Sequence, residues 1–152
     1  MFNKMDPFAT VVYREQQFKT KVLQGAGKTP KWNETFDFDI KYTGDDLKLT
    51  IMDEDTMSND KVGEVSIKVA GLCIKGGLDD WFTIQFKGKQ AGKVHVKSSF
   101  VAREPDTAPS TGKLKLTVKE AKLTRDTEMA FNKMDPYCEL KYRQQDFKTK
   151  VL

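Results

Sequence analysis

Apolar and polar residues alternate along most of this chain. Because successive side chains of a β-strand point to opposite faces of a sheet, each alternating run predicts a strand with one buried and one solvated face. The apolar members of the runs are, in chain order, Phe36, Phe38 and Ile40; Leu47, Leu49 and Ile51; Val65, Ile67 and Val69; Phe82, Ile84 and Phe86; Val94 and Val96; and Leu114, Leu116 and Val118.

Turn signals separate these runs. Glycine-containing clusters fall between them, at Gly25–Gly27, Thr43–Asp46, Gly76–Gly77 and Gly88. Helical periodicity is absent apart from Ala70–Lys75, which we expect to form a short turn. Many short antiparallel strands at regular spacing predict an all-β protein, a β-sandwich.

The two ends of the chain repeat each other. Residues 1–23 and 130–152 are identical at 15 of 23 positions. An internal repeat of this kind defines the modular unit. The sequence therefore predicts a cut through a tandem array, with one module at 1–100, a linker rich in Pro, Ser, Thr and charge at 101–112, and the first three strands of a following module at 113–152.

Composition narrows the class of protein. The 152 residues carry 26 basic and 22 acidic side chains, a net charge of +4 that is too mild for a dedicated nucleic-acid binder. Cys73 and Cys138 are too few for a disulfide framework and are expected to be small buried or half-buried side chains. Neither a signal peptide nor a membrane-spanning stretch is visible, so we predict a cytoplasmic module. The single histidine, His95, is predicted to lie on the surface, and no nucleophile–base pair or phosphate loop suggests an enzyme.

One loop carries a concentration of carboxylates. Asp53, Asp55 and Asp60 follow the strand at 47–52, and close carboxylates raise one another's pKa unless a cation lies between them. Oxygen ligands without histidine or cysteine suit a hard ion, Ca²⁺ before Mg²⁺. An ordinary solvated acidic loop is the alternative. An EF-hand is excluded, because Ser58 stands where that loop needs glycine and strands flank it on both sides.

Four segments in a fixed order carry a family resemblance. They are Met5–Asp6–Pro7, Phe18–Val22, the run PKWNETFDF at Pro30–Phe38, and the acidic loop closing on Gly63–Glu64. Together they resemble a C2 domain of the protein kinase C and synaptotagmin type, over residues 1–100 and again from Gly112 onward. The resemblance implies an eight-stranded antiparallel Greek-key sandwich whose loops at one end bind Ca²⁺ and then dock on anionic phospholipid.

The resemblance also assigns residues to the ion. It places third-loop ligands at Asp53, Asp55 and Asp60, and the last first-loop ligand at Asp6, or at Asp135 in the second copy. The opening first-loop Asp is replaced by Met129, so Glu128 or Asp126 is expected to take its role, and Lys61 stands beside the last third-loop ligand.

Lipid contacts are implied at two places. Apolar loop residues at the calcium end are expected to insert among headgroups: Phe2, Met57 and Phe131. The lysines Lys19, Lys21, Lys28 and Lys31 resemble a phosphoinositide site. A solubilising face is the alternative for them, and it is slightly favoured because Thr10 and Glu139 stand where some C2 domains carry another lysine.

The repeat leaves the first module without its first strand. Lys113–Lys122 is the available candidate, and we predict that it fills the vacancy in its own chain or, by strand exchange, in a second copy, with an exchanged homodimer favoured over an intact monomer. Residues 1–23 and 130–152 then compete for the next two strands, Phe8–Arg14 and Gln17–Leu23 or Tyr137–Arg143 and Asp146–Leu152. The predicted function is calcium-dependent binding to anionic membranes when calcium rises. The alternative is a calcium-independent protein-interaction or scaffolding module of a tandem C2 protein.

Overall fold

The computed structural model of the chain describes residues 4–103 and 111–127, together with the strands at 139–142 and 145–148. Strands dominate, and the only helical elements in these ranges are two short turns, α1 (Val69–Cys73) and a 3-10 turn (Ile74–Gly76), where a turn is predicted from the sequence. The strands are β1 (Pro7–Tyr13), β2 (Gln16–Lys19), β3 (Lys31–Ile40), β4 (Asp46–Asp53), β5 (Asp60–Lys68), β6 (Asp79–Phe86), β7 (Lys89–Ala102), β8 (Gly112–Leu123), β9 (Glu139–Tyr142) and β10 (Gln145–Lys148).

Eight antiparallel strands form the body of the protein, in the order β2-β1-β4-β5-β6-β7-β8-β3. The junction of β5 and β6 rests on one residue pair, Glu64 with Gln85, so the strands divide into two four-stranded halves. The alternating apolar residues of both halves are buried in one core, which includes Leu49 and Ile51 of β4 and Val94 and Val96 of β7. The predicted all-β, C2-like sandwich is confirmed.

Strand β8 completes the second half of the sandwich. It lies between β7 and β3 of its own chain, and it pairs with both along nearly its whole length. Leu114, Leu116 and Val118 are fully buried, and burying side chains of this kind contributes about 1.5–3 kcal/mol each. The strand predicted at Lys113–Lys122 is therefore present within the chain, and exchange with a second copy is not confirmed.

The pairing of β7 with β8 extends into the segment predicted as a linker. Its last partners are Ala102 and Gly112, so both ends of the 101–112 segment belong to the sheet. Gly112 has no room for a side chain, because an added Cβ would lie 2.4 Å from the carbonyl oxygen of Val101. The division of the chain into two modules stays a prediction.

The two copies of the repeat form hairpins of identical register. Thr10 pairs with Lys19 and Tyr13 with Gln16, while the corresponding residues Glu139 and Tyr142 pair with Lys148 and Gln145. Only the first hairpin belongs to the eight-stranded sheet, and β9 and β10 form a two-stranded sheet. The sandwich thus holds one copy of the repeated hairpin, as predicted from the competition of the two copies for the same strand positions.

Strand β2 is shorter than the predicted Gln17–Leu23. It ends at Lys19, beyond which backbone and side-chain hydrogen bonds are mixed. The Thr20 N–H still donates to the Ala9 carbonyl oxygen at 2.9 Å, and the Leu23 N–H donates to the Pro7 carbonyl oxygen at 3.1 Å. The buried hydroxyl of Thr20 accepts from the Ala9 backbone N–H at 2.9 Å, and the Lys21 N–H donates to the Glu34 carboxylate at 2.7 Å. The following residues run on to the loop that meets the acidic end of the sandwich.

Candidate metal-binding site

Four aspartates gather at one end of the sandwich, and we call them the acidic cup: Asp6, Asp53, Asp55 and Asp60. Asp53 ends β4 and Asp60 begins β5, and the two residues are partners in the ladder. Asp53 also pairs with Pro7 at the start of β1, which brings the neighbouring Asp6 to the same place. One carboxylate oxygen from each of Asp53, Asp55 and Asp60 lies within 4.8 Å of the others.

Asp53 is the fixed floor of the cup. Its side chain is fully buried, and each of its carboxylate oxygens accepts a hydrogen bond. The Asp6 backbone N–H donates to Oδ1 at 2.8 Å, and the Thr127 hydroxyl donates to Oδ2 at 2.6 Å. These two hydrogen bonds, one to each oxygen, hold the Asp53 carboxylate in one orientation.

Asp6 ties the start of β1 to two loops. Its carboxylate accepts the Gly25 N–H at 2.6 Å, and its carbonyl oxygen accepts the Glu54 N–H at 3.0 Å. Gly25 has a positive φ of 69°, a conformation that glycine adopts without steric cost. The loop after β2 and the loop after β4 are therefore both anchored to this one residue.

The electrostatics of the cup favour a cation. The pKa of the Asp55 carboxyl is raised, first by its hydrogen bond with Asp60, then by loss of some hydration and by the negative charges of Asp53, Asp60 and Asp6. Asp55 and Asp60 are exposed, so the mouth of the cup opens to solvent. A hard cation among these oxygens would cancel the repulsion, and an all-carboxylate donor set fits Ca²⁺.

The segment after β8 forms one wall of the cup. Its Arg125 guanidinium lies 3.7 Å from the centre of the Phe86 ring, donates to the Lys61 carbonyl oxygen at 3.4 Å, and interacts electrostatically with Asp60. Asp126 is half-buried between Arg125 and Thr127, and the group of converging carboxylates consists of Asp53, Asp55 and Asp60 without it.

Two residues of this wall could not be predicted from the sequence. Thr127 and Arg125 match no ligand pattern, and their role follows only from β8 being inserted beside β7. The available sequence signal is that they lie three and five residues beyond the end of the strand predicted at Lys113–Lys122. Lys61, which stands beside the last third-loop aspartate, directs its ammonium to the Glu64 carboxylate at 3.0 Å.

The residues predicted to contact lipid are partly described. Met57 projects from the third loop with 96% of its surface exposed, at the mouth of the cup. Phe2, Phe131, Glu128 and Asp135 lie outside the described residues.

The four lysines proposed to bind phosphoinositide are exposed, and each is held by different neighbours. The Lys19 ammonium lies 4.2 Å from the centre of the Phe8 ring, and Lys31 of β3 is the sheet partner of Glu120. The Lys21 backbone is held by Glu34, and Lys28 accepts the Leu123 N–H through its carbonyl oxygen. Their exposure is compatible with both interpretations of these lysines.

His95 and Cys73 lie away from the cup. His95 is more enclosed than the predicted surface residue, because its side chain is 17% exposed, stacks on Trp81 and contacts the Asp79 carboxylate. Cys73 is half-buried as predicted, and burial raises the pKa of its thiol to about 11, so the unreactive thiol form prevails at neutral pH. Cys138 lies outside the described residues.

Eight antiparallel strands in this order, with acidic loops at one end, are typical of a family of domains that generally act as binding modules. A family profile for the C2 domain matches residues 1–84 and 112–152, which leaves out β7 and the segment that joins it to β8. The chain belongs to the C2 domain family.

Plant proteins are among its relatives. The chain is 33% identical to 16 kDa phloem protein 2 of Arabidopsis thaliana over 104 residues, covering 67% of this chain and 71% of that protein. It is 42% identical to elicitor-responsive protein 1 of Oryza sativa subsp. japonica over 78 residues, covering 48% of this chain and 49% of the relative. Extended synaptotagmin-2-B of Xenopus laevis is 30% identical over 105 residues, which is 68% of this chain but 12% of that protein.

Solved C2 structures share the fold. A C2 domain-containing protein from a putative elicitor-responsive gene superposes with a TM-score of 0.51 at 26% identity, covering 77% of this chain and 74% of that one. The calcium-bound pair of C2 domains from extended synaptotagmin 2 gives a TM-score of 0.51 at 22% identity, covering 76% of this chain and 36% of that one. Within the described residues, no helix is long and apolar enough to span a lipid bilayer.

Proposed function

We propose that this C2 domain binds Ca²⁺ in the acidic cup and, with the ion bound, attaches to anionic phospholipid membranes. The observation that supports it most is the convergence of Asp53, Asp55 and Asp60 within 4.8 Å, with the pKa of Asp55 raised by its neighbours. Such an arrangement costs stability when empty and gains it when a cation arrives. The related extended synaptotagmin 2 has C2 domains solved with calcium bound, which agrees with this assignment.

The cup would act as an electrostatic switch. Empty, it repels an anionic surface, whereas bound Ca²⁺ reverses the local charge and leaves coordination positions for lipid phosphate oxygens. Asp53 would hold the ion from below in its fixed orientation, and Asp55, Asp60 and Asp6 would close the sides, with Asp126 as a further proposed ligand. Because the mouth is open, we expect weak affinity without lipid, on the order of micromolar to millimolar.

Met57 would add an apolar contact at the membrane. Its side chain is almost entirely exposed at the rim formed by the third loop. An apolar residue in this position enters the headgroup region when the charged cup is neutralised. Phe2 and Phe131 are proposed to act in the same way.

Co-sedimentation with vesicles tests the switch. At physiological salt, where binding through surface charge alone is screened, vesicles containing phosphatidylserine should pellet the protein in calcium and release it in chelator. The double variant Asp53→Asn with Asp55→Asn should lose the calcium response. Asp46→Asn with Asp80→Asn is a matched control, since it removes the same charge from exposed carboxylates outside the cup. Equal binding by the wild type with and without calcium would contradict the proposal.

A calcium-independent interaction module is the second candidate. The observation in its favour is that the protein itself supplies partners to the cup, since Thr127 binds Asp53 and Arg125 lies near Asp60. Calorimetric titration with Ca²⁺ separates the two candidates. A module of the second kind gives no heat of binding, whereas the cup gives a saturable heat that the double aspartate variant removes.

A further inference from the structure

Two lysines face each other on the outer surface of the second half-sheet. Lys93 of β7 and Lys122 of β8 are direct partners in the antiparallel ladder, and both side chains are exposed. Like charges placed directly opposite in a sheet destabilise it. Because the repulsion between Lys93 and Lys122 costs stability, their pairing suggests that an anion binds between the two ammonium groups.

Neighbouring lysines extend the positive surface. The outward positions of β7 and β8 also carry Lys97 and Lys119, and we call these four residues, with Trp81 of β6, the lysine face. Two of the four lysines have a carboxylate nearby: the Asp79 carboxylate lies 3.8 Å from the Lys119 ammonium, and Asp79 is also the cross-strand partner of Lys97. Among residues 4–103 and 111–127, neither Lys93, Lys97 nor Lys122 forms an ion pair with a carboxylate.

The opposite outer surface is arranged differently. There, Lys48 pairs with Glu64 at 3.1 Å, and Lys68 pairs with its cross-strand partner Asp46 at 2.9 Å. Those lysines are neutralised within the protein. Lys93 and Lys122, in contrast, have no carboxylate partner among residues 4–103 and 111–127, so their charges are not neutralised on the sheet.

An aromatic ring lies among the lysines. The Lys122 ammonium is 4.9 Å from the centre of the Trp81 ring, and the ring of His95 stacks on Trp81 with centroids 4.7 Å apart. His95 is in turn held by Asp79, so Trp81 is fixed in place while part of it remains accessible. Tryptophan beside lysine is typical of surfaces that meet a bilayer at headgroup level.

The lysine face reaches the acidic cup. Lys93 and Lys122 are next in the ladder to the pair Gly92 and Leu123, beyond which the chain turns toward the cup. The Thr124 N–H donates to the Ala91 carbonyl oxygen at 2.9 Å, and Thr127 binds Asp53. A bilayer touching the mouth of the cup thus has the lysine face along the adjoining side of the sandwich.

We propose that the lysine face binds the phosphate groups of an anionic bilayer without calcium. The Lys93–Lys122 pair would bridge phosphate oxygens, Lys97 would add attraction at longer range, and Trp81 would lie at headgroup depth. A bilayer is favoured over an acidic protein because the charged lysines surround an accessible tryptophan and adjoin the proposed membrane-binding loops. The inference goes beyond the proposed function, since it does not use the ion.

Vesicle binding in chelator tests it directly. At low salt, the wild-type protein should partition onto phosphatidylserine vesicles more than onto phosphatidylcholine vesicles, and salt should reverse this. Lys93→Gln with Lys122→Gln should weaken the partitioning by roughly 10- to 30-fold, given that each lysine near an anionic surface contributes substantially. Lys48→Gln with Lys68→Gln, which removes the same charge from the opposite surface, should change it little.

Fluorescence supplies a second measurement. The chain has two tryptophans, and Trp32 is buried, so a blue shift on vesicle addition reports on Trp81. Trp81→Phe should abolish the shift. The proposal is overturned if chelator-treated protein does not prefer phosphatidylserine, if the two lysine pairs have equal effects, or if poly-glutamate captures the protein while vesicles do not. Because calcium is absent throughout, failure here leaves the proposed calcium switch standing, and the reverse also holds.

Discussion

The two ends of strand β4 carry aspartates in opposite circumstances. At the far end, just before the strand, Asp45 accepts hydrogen bonds from the Tyr13 hydroxyl and from Arg14 Nε, both at 2.8 Å. Burial acts to raise the pKa of Asp45, but these two hydrogen bonds outweigh it and the pKa is lowered. At the cup end, the pKa of Asp55 is raised, because its nearest neighbours are other carboxylates.

Asp39 strengthens the contrast. It also lies at the far end, where it contacts Lys41 at 2.6 Å, Arg103 at 2.9 Å and Lys113 at 3.5 Å, and these partners lower its pKa. The far end therefore supplies cations for its own carboxylates, and the cup concentrates negative charge. The number of aspartates therefore does not identify a candidate metal site. The placement of the lysine and arginine side chains does, because it decides which aspartates are left beside one another.

Loss of the Tyr13 hydroxyl should have the largest effect on stability. The side chain is fully buried, and its oxygen accepts the N–H groups of Lys41 and Tyr42 at 2.9 and 3.2 Å. Tyr13→Phe leaves both donors without this acceptor, so we expect the free energy of unfolding in urea to fall by about 2–3 kcal/mol. Tyr42→Phe, which removes a hydroxyl from an exposed ring, is the control and should leave the free energy of unfolding nearly unchanged. A change in calcium affinity with Tyr13→Phe would show that the two ends are not independent.

Removal of the Thr127 hydroxyl should weaken the cup. Thr127→Val deletes the donor to Asp53 Oδ2, and loss of a hydrogen bond that orients a metal ligand typically costs about tenfold or more in affinity. Calcium titration by calorimetry should show this loss, while Thr127→Ser should retain most of the affinity. The unfolding free energy measured in chelator shows how much the hydroxyl stabilises the fold, and the calcium titration shows how much it helps to bind the ion. If Val and Ser bind calcium equally well, the orientation of Asp53 does not depend on Thr127.

The pH dependence of stability should change least. Because the folded-state pKa of Asp45 is lowered, its stabilising contribution is complete above the unfolded value of about 3.9 and is lost as pH falls through the folded value. Asp45→Asn should therefore lower stability at pH 6, by about 0.2–1 kcal/mol for an exposed pair, and the difference from wild type should vanish toward pH 2. Urea unfolding across this range measures it.

Asp55→Asn provides the opposite case for that measurement. In chelator at neutral pH, it relieves repulsion in the cup, so it should raise the unfolding free energy slightly where Asp45→Asn lowers it. Effects of equal sign at the two ends would contradict the contrast drawn between them.

Much of the fold could be predicted from the period-two pattern. The runs around Phe36, Leu47 and Leu114 all lie in strands of the sandwich, because alternation reports which face of a strand is buried. The end of β2 could not be predicted, since Thr20 and Glu34 replace backbone partners in a way that depends on tertiary contacts. Val69, assigned by its pattern to a strand, instead begins α1, because short apolar runs do not separate a strand end from a helical turn.

The aspartates of the candidate site could be predicted from the sequence, but the residues that contact them could not. Asp53, Asp55 and Asp60 are close in sequence, so one loop brings them together, and the structure places their oxygens within ligand distance of one another. Thr127 and Arg125 reach the cup only because β8 is inserted between β7 and β3. His95 could not be predicted as half-buried, because its enclosure comes from Trp81 on a neighbouring strand.

The insertion of β8 has a consequence for how the protein is made. The Thr35 and Thr117 hydroxyls that join β3 to β8 are 82 residues apart in sequence, and Thr127 reaches across 122 residues to contact Met5. Contacts of such long range close late and slow folding. During synthesis, the earlier strands must wait for residues 112–127 to leave the ribosome before the second half-sheet and the wall of the cup can form. We therefore expect a nascent chain stalled shortly before this point to expose its apolar core and to depend on chaperones, with ion binding appearing only as the last step of maturation.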